Sequence, residues 1–499
     1  MFDADNTLTS PLAGSTNAGP PILALTVLWH PDVQRVGEQY LEPDTHGVIE
    51  VSRFLPLFAH PGAEGLGLGH GGISRQPLRI ARGADGGLQV TPPDSRMAVD
   101  VNGVGIHTPV ALDASELERG VVLGLGRAIL LCVHWTDRLP RANPVPGLIG
   151  VSSAAIQARE LIRTVAATEL PLLLLGETGT GMAVAARAIH ALGRRAGAPL
   201  VAVNMAVLNE GLAAAELFGT ARGAYTGAQS ARSGLFAEAD GATLFLDEIG
   251  NTPANVQPML LRVLDSGQYR VVGGDTDRRS TARVIAATDQ DLSGRDFNQA
   301  LLRRLERFVI TLPPLRARRE DIGVLLVHTL TQAGAGASGG LALPYAFVSA
   351  CANYDWPGNV RQLAHVLGRA LLLAQAGQEP VFEALVNTRG APRQAPATAA
   401  AVPQKRRALG EFDDEDVLVA LHNNGWQIQG AAGELGISRP SMYKLIEAHP
   451  AIRRPEQIGL EELKGKLEEA GGDVERCAAL LLTPAEALRR QLRGLGLLG

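Results

Sequence analysis

The sequence predicts a multidomain protein: a β-sandwich at the front, a central α/β domain with a helical lid, and an all-α tail carrying a helix-turn-helix. Three observations predict it. Residues 22–137 hold short alternating strands such as Leu88-Gln89-Val90 and Val99-Asp100-Val101, cut by Gly, Pro and Asp-Gly turns, which is the pattern of a sandwich. Residues 148–318 alternate helical stretches with short, wholly apolar strands. Leu172-Leu173-Leu174-Leu175, Thr243-Leu244-Phe245-Leu246 and Val284-Ile285-Ala286-Ala287 have the character of parallel strands covered on both faces. Residues 319–385 read as helices, 386–410 as a linker rich in Pro, Ala and basic residues, and the chain from 411 on as helices again.

Length and composition agree with several domains. A chain of 499 residues exceeds one ordinary core, and 46% hydrophobic residues suffice for several. Charged residues make up 19%, too few for a largely disordered chain. The net charge of -5 excludes a general polyanion binder, so any nucleic-acid contact is expected to be local. Cys132, Cys351 and Cys477 lie far apart and match no metal-ligand spacing, as reduced core cysteines would. Asp3 and Asp5 stand where a signal peptide would need basic residues, and no apolar run approaches the roughly 20 residues that span a bilayer. A cytoplasmic protein is expected.

The tail carries an internal repeat. A shift of 46 positions aligns Gly425-Trp426-Gln427-Ile428 with Gly471-Gly472-Asp473-Val474, Ala432 with Ala478, Leu435 with Leu481, and Met442 with Leu488. Two copies of one small helical unit, 411–450 and 457–499, follow.

The central domain holds a phosphate-binding pattern. Gly176-Glu177-Thr178-Gly179-Thr180-Gly181-Met182-Ala183 follows an apolar strand and precedes a helical stretch, so backbone N–H groups and a helix N-terminus face one point. A complete motif continues with Lys and Ser or Thr, where this chain has Met182 and Ala183. A second strand ends in Asp247-Glu248, a pair suited to holding Mg²⁺ and orienting an attacking water. ATP with Mg²⁺ on Asp247 is the expected ligand set.

Residues 148–385 resemble the AAA+ domain of sigma-54-dependent transcription activators. That family contacts sigma-54 RNA polymerase through a Gly-Ala-Phe-Thr-Gly-Ala loop, matched by Gly223-Ala224-Tyr225-Thr226-Gly227-Ala228 with Tyr for Phe. Glu216-Leu217-Phe218-Gly219, Gly234-Leu235-Phe236 and Leu312-Pro313-Pro314-Leu315-Arg316 match flanking family segments. Trp356-Pro357-Gly358-Asn359-Val360-Arg361 resembles the sensor II segment, which implies that Arg361 reaches the nucleotide. The resemblance also implies that Asn204 switches the catalytic glutamate, that Arg304 is the second arginine finger, and that the domain forms oligomeric rings.

Several positions depart from the family. Met182 replaces the Walker lysine and Ala183 the acidic residue after it. Asn298 stands at the first arginine finger, and Asp289 stands where sensor I has an amide. A lysine about 4 Å from a phosphate contributes about 4 kcal/mol in a partly screened site. An arginine finger contributes roughly 10³ to 10⁵ in turnover. Weak ATP binding and poor hydrolysis are expected.

Residues 48–135 resemble a forkhead-associated domain, a sandwich that recognises phosphothreonine. Ser52-Arg53, Ile73-Ser74-Arg75 and Val101-Asn102-Gly103 carry that resemblance. It implies that Arg53, Ser74 and Arg75 bind the phosphate and Asn102 the peptide backbone of a phosphothreonine protein. Residues 415–448 resemble a Fis-type helix-turn-helix, with Gly436 at the turn and Arg439, Ser441, Tyr443 and Lys444 as DNA-reading residues. The second unit has Leu482 in place of the turn glycine and carries Arg489, Arg490 and Arg493; DNA contact and dimer packing both fit it.

Two whole-protein readings follow. One is a sigma-54-type regulator that binds DNA through its tail and senses a phosphoprotein at its front. The other is a non-catalytic DNA- and phosphoprotein-binding regulator that represses or joins mixed rings.

Overall fold

In the first apolar stretch, Ile22–Trp29, both faces are buried, which a strand in a half-solvated sandwich does not require. The computed structural model explains why. It describes residues 21–43, 47–83, 86–224, 230–294, 296–334 and 343–386, and in the tail 414–424, 426–435, 442, 445–446, 449, 451–453, 455, 458–470, 473–495 and 497. Two compact units, Met1–Ala391 and Pro392–Gly499, are described separately.

The front of the first unit is two antiparallel sheets. One orders β2 (Gln39–Leu41), β1 (Ile22–Trp29), β10 (Ile129–Thr136), β9 (Val121–Leu125), β6 (Val99–Val101) and β7 (Val104–Ile106). The other orders β3 (Ile49–Val51), β4 (Leu78–Arg82), β5 (Leu88–Thr91) and β8 (Val110–Leu112). Leu25, Val27, Val51, Leu78, Val90 and Leu131 fill the space between the sheets. A short helix α1 (Ala114–Arg119) with a capping box on Asp113 leads into β9.

The first sheet has a second buried face. Leu28, Val122, Leu130 and Cys132 point away from the sandwich core and enter a cluster with Ile322, Leu326, Phe347 and Trp356 of the lid. The lid helices are α8 (Ile322–Gln332), α9 (Tyr345–Asn353), α10 (Asn359–Gln375) and α11 (Phe382–Val386). A Cβ placed on Gly323 would lie 2.2 Å from the carbonyl oxygen of Leu28, so backbone meets backbone at this junction. Each apolar side chain removed from water here contributes about 1.5–3 kcal/mol. The sandwich and lid therefore share one core. His134 is buried beside it. Gln39 Nε2 donates to Thr26 Oγ1 (2.8 Å), Thr26 Oγ1 lies 2.7 Å from His134 Nε2, and His134 Nδ1 lies 3.9 Å from the Glu320 carboxylate.

Between sandwich and lid in the chain lies a parallel sheet ordered β12 (Leu200–Asn204), β13 (Thr243–Asp247), β16 (Arg283–Thr288), β11 (Leu172–Leu175), β17 (Val309–Thr311). Its helices include α2 (Ser153–Ala166) and α3 (Met182–Leu192), then α4 (Ala213–Phe218), α5 (Leu235–Glu238), α6 (Gln257–Ser266) and α7 (Gln299–Leu305). A hairpin, β14 (Gln268–Arg270) with β15 (Asp277–Arg279), projects after α6. The sheet is apolar on both faces because helices cover both, as the sequence implied. One face packs on Ile162 and Ile189, the other on Phe218 and Leu260.

In the second unit, α12 (Asp414–Asn423), α13 (Ile428–Glu434), α14 (Leu460–Glu469), α15 (Val474–Leu481) and α16 (Ala485–Gly494) enclose one core that includes Trp426, Leu463 and Leu488. The 386–410 linker lies almost wholly outside the described residues. Among the described residues no helix is long and apolar enough to cross a membrane. Cys132, Cys351 and Cys477 are free and buried.

Candidate functional site

The parallel register decides where the chemistry collects. Leu175 of β11 pairs with Thr288 of β16, and Asp247 of β13 pairs with Asn204 of β12. The C-terminal ends of four strands thus bring 176–183, Asp247-Glu248, Asn204 and Asp289 to one edge of the sheet, the usual ligand edge of such folds. Gly179 (φ +87°) and Gly181 (φ +112°) supply the left-handed turns of the loop, and Gly181 caps α3. At Gly179 a Cβ would lie 2.4 Å from the Gly358 carbonyl, so the lid approaches the loop too closely for any side chain.

The lid straps this loop in place. Arg316 donates to both oxygens of Glu177 at 2.8 and 2.5 Å, which holds that carboxyl below its usual range, with help from Asn359. Asn359 is fully buried. It donates from Nδ2 to Glu177 (3.2 Å) and to the Thr178 carbonyl (3.1 Å), and accepts from Leu315 N at 2.8 Å. Arg318 donates to the Thr180 carbonyl at 3.1 Å. In this segment the sequence points to Arg361. Asn359, next to it, is the residue that ties lid to loop, and its left-handed φ of +51° was not readable from the sequence.

The electrostatics are unusual for a phosphate site. Met182 is half-buried and packs, with Ala183, against the apolar cluster of Ile162, Leu172 and Ile189. Thr178 Oγ1 donates to Asp289 Oδ2 at 2.7 Å. Burial raises the Asp247 carboxyl, Glu248 and Asp289 add repulsion, and the Glu248 N–H and the Arg361 charge oppose the rise. Arg361 therefore lies close enough to act on the Asp247 end of the site. Glu248 sits at φ +54°, ψ +46°, with its carboxylate accepting from Asn251 Nδ2 at 3.1 Å. Asn204 uses its Oδ1 to cap its own turn, accepting from Ala206 N at 2.8 Å. A backbone cradle and one or two carboxylates match what nucleotide-bound Mg²⁺ needs from protein, the phosphates supplying the rest. Among the described residues no cluster of three His, Cys, Asp or Glu would hold a metal by itself. The loop between β11 and α3 has the strand-loop-helix form that suits a phosphate, and Met182 at the start of α3 carries no charge.

The finger positions lie elsewhere. Asn298 caps α7, its Oδ1 accepting from Ala300 N (3.0 Å) and Leu301 N (3.1 Å). Arg304, on the same helix, pairs with Asp265 and lines an open cleft with Arg303 and Arg307. The structure does not bring Arg304 to the 176–183 loop of its own chain. In the contact hexapeptide, Gly223 and Ala224 follow α4, while Tyr225, Thr226, Gly227 and Ala228 lie outside the described residues.

In the sandwich, Arg53 and Ser74 share a loop. Arg53 donates to the carbonyls of Ile73 (3.0 Å) and Gly71 (2.6 Å), and its N–H donates to the Ser74 carbonyl. Ser74 Oγ accepts from Gln76 N, and Arg75 is exposed. Asn102, at φ +49°, accepts from Val122 N through Oδ1 at 3.0 Å. Two of the four phosphopeptide candidates are thus already bonded within their own loops. In the tail, Arg439, Ser441, Tyr443 and Lys444 lie outside the described residues.

Comparison with known proteins agrees with the central domain. Residues 148–311 match the Sigma-54 interaction domain and residues 316–399 an AAA+ ATPase lid domain. The chain is 37% identical to the nitric oxide reductase transcription regulator NorR2 of Cupriavidus necator over 70% of its own length and 63% of that protein's. It is likewise 37% identical to the anaerobic nitric oxide reductase transcription regulator NorR of Escherichia coli, over 67% of its own length and 71% of that protein's. A solved structure of NtrX from Brucella abortus, in complex with ATP, is 29% identical over 62% of this chain and 70% of its own, with a TM-score of 0.42.

Proposed function

The chain belongs to the sigma-54-dependent transcription regulators, with their AAA+ domain and lid, and from that premise we propose that it is a regulator whose nucleotide turnover has decayed while its architecture is kept. It binds DNA through the helix-turn-helix tail, contacts sigma-54 RNA polymerase through the loop around Tyr225 and Thr226, assembles as a ring, and receives a phosphothreonine protein on the forkhead-associated sandwich. Its place is the cytoplasm. ATP with Mg²⁺ at Asp247 is held weakly in the 176–183 cradle and hydrolysed poorly, with Glu248 orienting water, Asn204 and Arg361 assisting, and Arg304 facing a neighbour's site.

One observation carries the reading. At the lysine position Met182 packs on apolar side chains, while the carboxylate of Asp289, at the sheet edge, accepts from Thr178 of the loop. Asn298, at the first finger, caps its own helix. Lost positive charge, added negative charge and a lost finger fall around one reaction, and each acts on the same transition state. The spread over separate elements argues for relaxed demand on hydrolysis rather than one accidental substitution.

Open-complex formation at a sigma-54 promoter, with ATP and this protein alone, tests it. We expect little or no melting, and melting restored in mixed rings with a competent relative. Melting by this chain alone, at a rate typical of the family, overturns the proposal. A chain that binds promoter DNA but neither melts it nor supports mixed rings acts as the non-catalytic repressor instead.

A further inference from the structure

The described helices of the tail keep the offset of the sequence repeat. α12 and α14 start at Asp414 and Leu460, 46 residues apart, and α13 and α15 start at Ile428 and Val474, also 46 apart. The buried pairs keep the same offset: Val417 with Leu463, Ala431 with Cys477, Met442 with Leu488, Ile446 with Leu492. The second unit also has a turn. Leu482 stands 46 residues after Gly436 and adopts φ +50°, a left-handed conformation that favours glycine. Around it, Leu482 N donates to the Ala479 carbonyl and Thr483 N to the Ala478 carbonyl, which closes the helix end in the manner of a Schellman motif. A non-glycine residue is held left-handed only where the surrounding structure requires it.

In sequence, α16 lies 46 residues after the reading stretch 439–447 of the first unit. It buries Ala485, Leu488 and Leu492, while Arg490 and Arg493 are exposed and Arg489 is half-buried on one side of the same helix. In sequence these three stand 46 residues after Tyr443, Lys444 and Glu447. Ala485, Glu486 and Ala487 form the first turn, where reading residues would meet base edges; they offer no basic or amide group for that purpose, and Glu486 suits a helix N-terminus. Arginines further along the helix suit phosphates.

We propose that the second unit is a helix-turn-helix in its own right and that α16 grips the phosphate backbone of duplex DNA through Arg490 and Arg493, with Arg489 beside them, adding sequence-independent affinity next to the first unit. The inference rests on the proposal that the first unit binds DNA.

The test measures the Kd of the full-length chain for a fluorescein-labelled duplex of mixed sequence between 50 and 200 mM salt. Two lost phosphate contacts lower the salt slope by about 1.8, so the affinity gap between wild type and Arg490→Gln/Arg493→Gln shrinks about 12-fold across that range. Light scattering and thermal melting accompany it, and both arginines are exposed, so the variant should keep the wild-type melting temperature. Lys444→Gln probes the first unit separately. An unchanged Kd and slope for the arginine variant, with Lys444→Gln weakened, overturns the second grip and leaves the first unit's DNA reading standing. No binding by the wild type removes both. A smaller assembly with the slope per protomer unchanged assigns the arginines to self-association and overturns the proposal.

Discussion

Replacing Met182 with lysine puts the central claim at risk in a single substitution. Met182 begins α3, and its side chain already lies along the apolar cluster of Ile162 and Leu172, so a lysine stem can follow the same path with its ammonium toward the cradle. A unit charge about 4 Å from a phosphate is worth about 4 kcal/mol at the effective dielectric of a partly exposed site. The helix N-terminus opposes a cation by about 0.3–1 kcal/mol, and solvent screening takes a further share. A net gain of about 2–3 kcal/mol remains, roughly 30- to 150-fold in Kd for a fluorescent ATP analogue with Mg²⁺. Hydrolysis, followed by phosphate release, should rise less than binding, because Asn298 and Asp289 stay. Met182→Lys with binding unchanged, at intact melting temperature, would refute the assignment of the loss to this position. So would a wild-type chain that already binds as tightly as the variant.

Four further outcomes are expected. Gly323→Ala, which would normally favour a helix, should destabilise the first unit by about 1–3 kcal/mol in denaturant melts, because its Cβ meets the Leu28 backbone. Asn359→Gly keeps the left-handed backbone but frees Leu315 N and the Thr178 carbonyl; a loss of about 3 kcal/mol is expected, with weaker nucleotide binding in the same titration. Leu482→Gly should relieve left-handed strain and raise the tail's stability by about 1 kcal/mol; a decrease would show that the Leu482 side chain packs usefully. His134 is held at about pKa 4 by burial, below its ordinary 6.5, so the neutral ring's contribution is present above pH 6.5 and lost as pH falls toward 4, by about 3 kcal/mol. His134→Gln should flatten that acid limb of a melting-temperature profile.

Much of this was legible because the signals are local. Four consecutive leucines at 172–175 cannot face water on either side, and a glycine loop after them must turn at a strand end. The carboxylates at Asp247 and Glu248 were readable for the same reason, as the last residues of an apolar strand. The 46-residue repeat was readable too, but not its consequence. Leu482 looked like a lost turn glycine, and only its φ reveals that the second unit turns there. The lid contact was missed although β1, β9 and β10 are apolar on both faces, a pattern an isolated sandwich does not need. Asn359 was beyond reach, since its strapping depends on partners distant in sequence.

The shared core of sandwich and lid also sets how the front of the molecule can move. A domain on a flexible tether can swivel without its neighbour noticing; this one has no slack. Leu28, Val122, Leu130 and Cys132 are bolted into the lid, and the lid's Asn359 is bolted to the phosphate loop. The sandwich is in effect a handle on the nucleotide clamp, and the two should melt in a single transition. Cutting the chain between them, at residues 138–146, would expose a greasy face on each half rather than release two working parts.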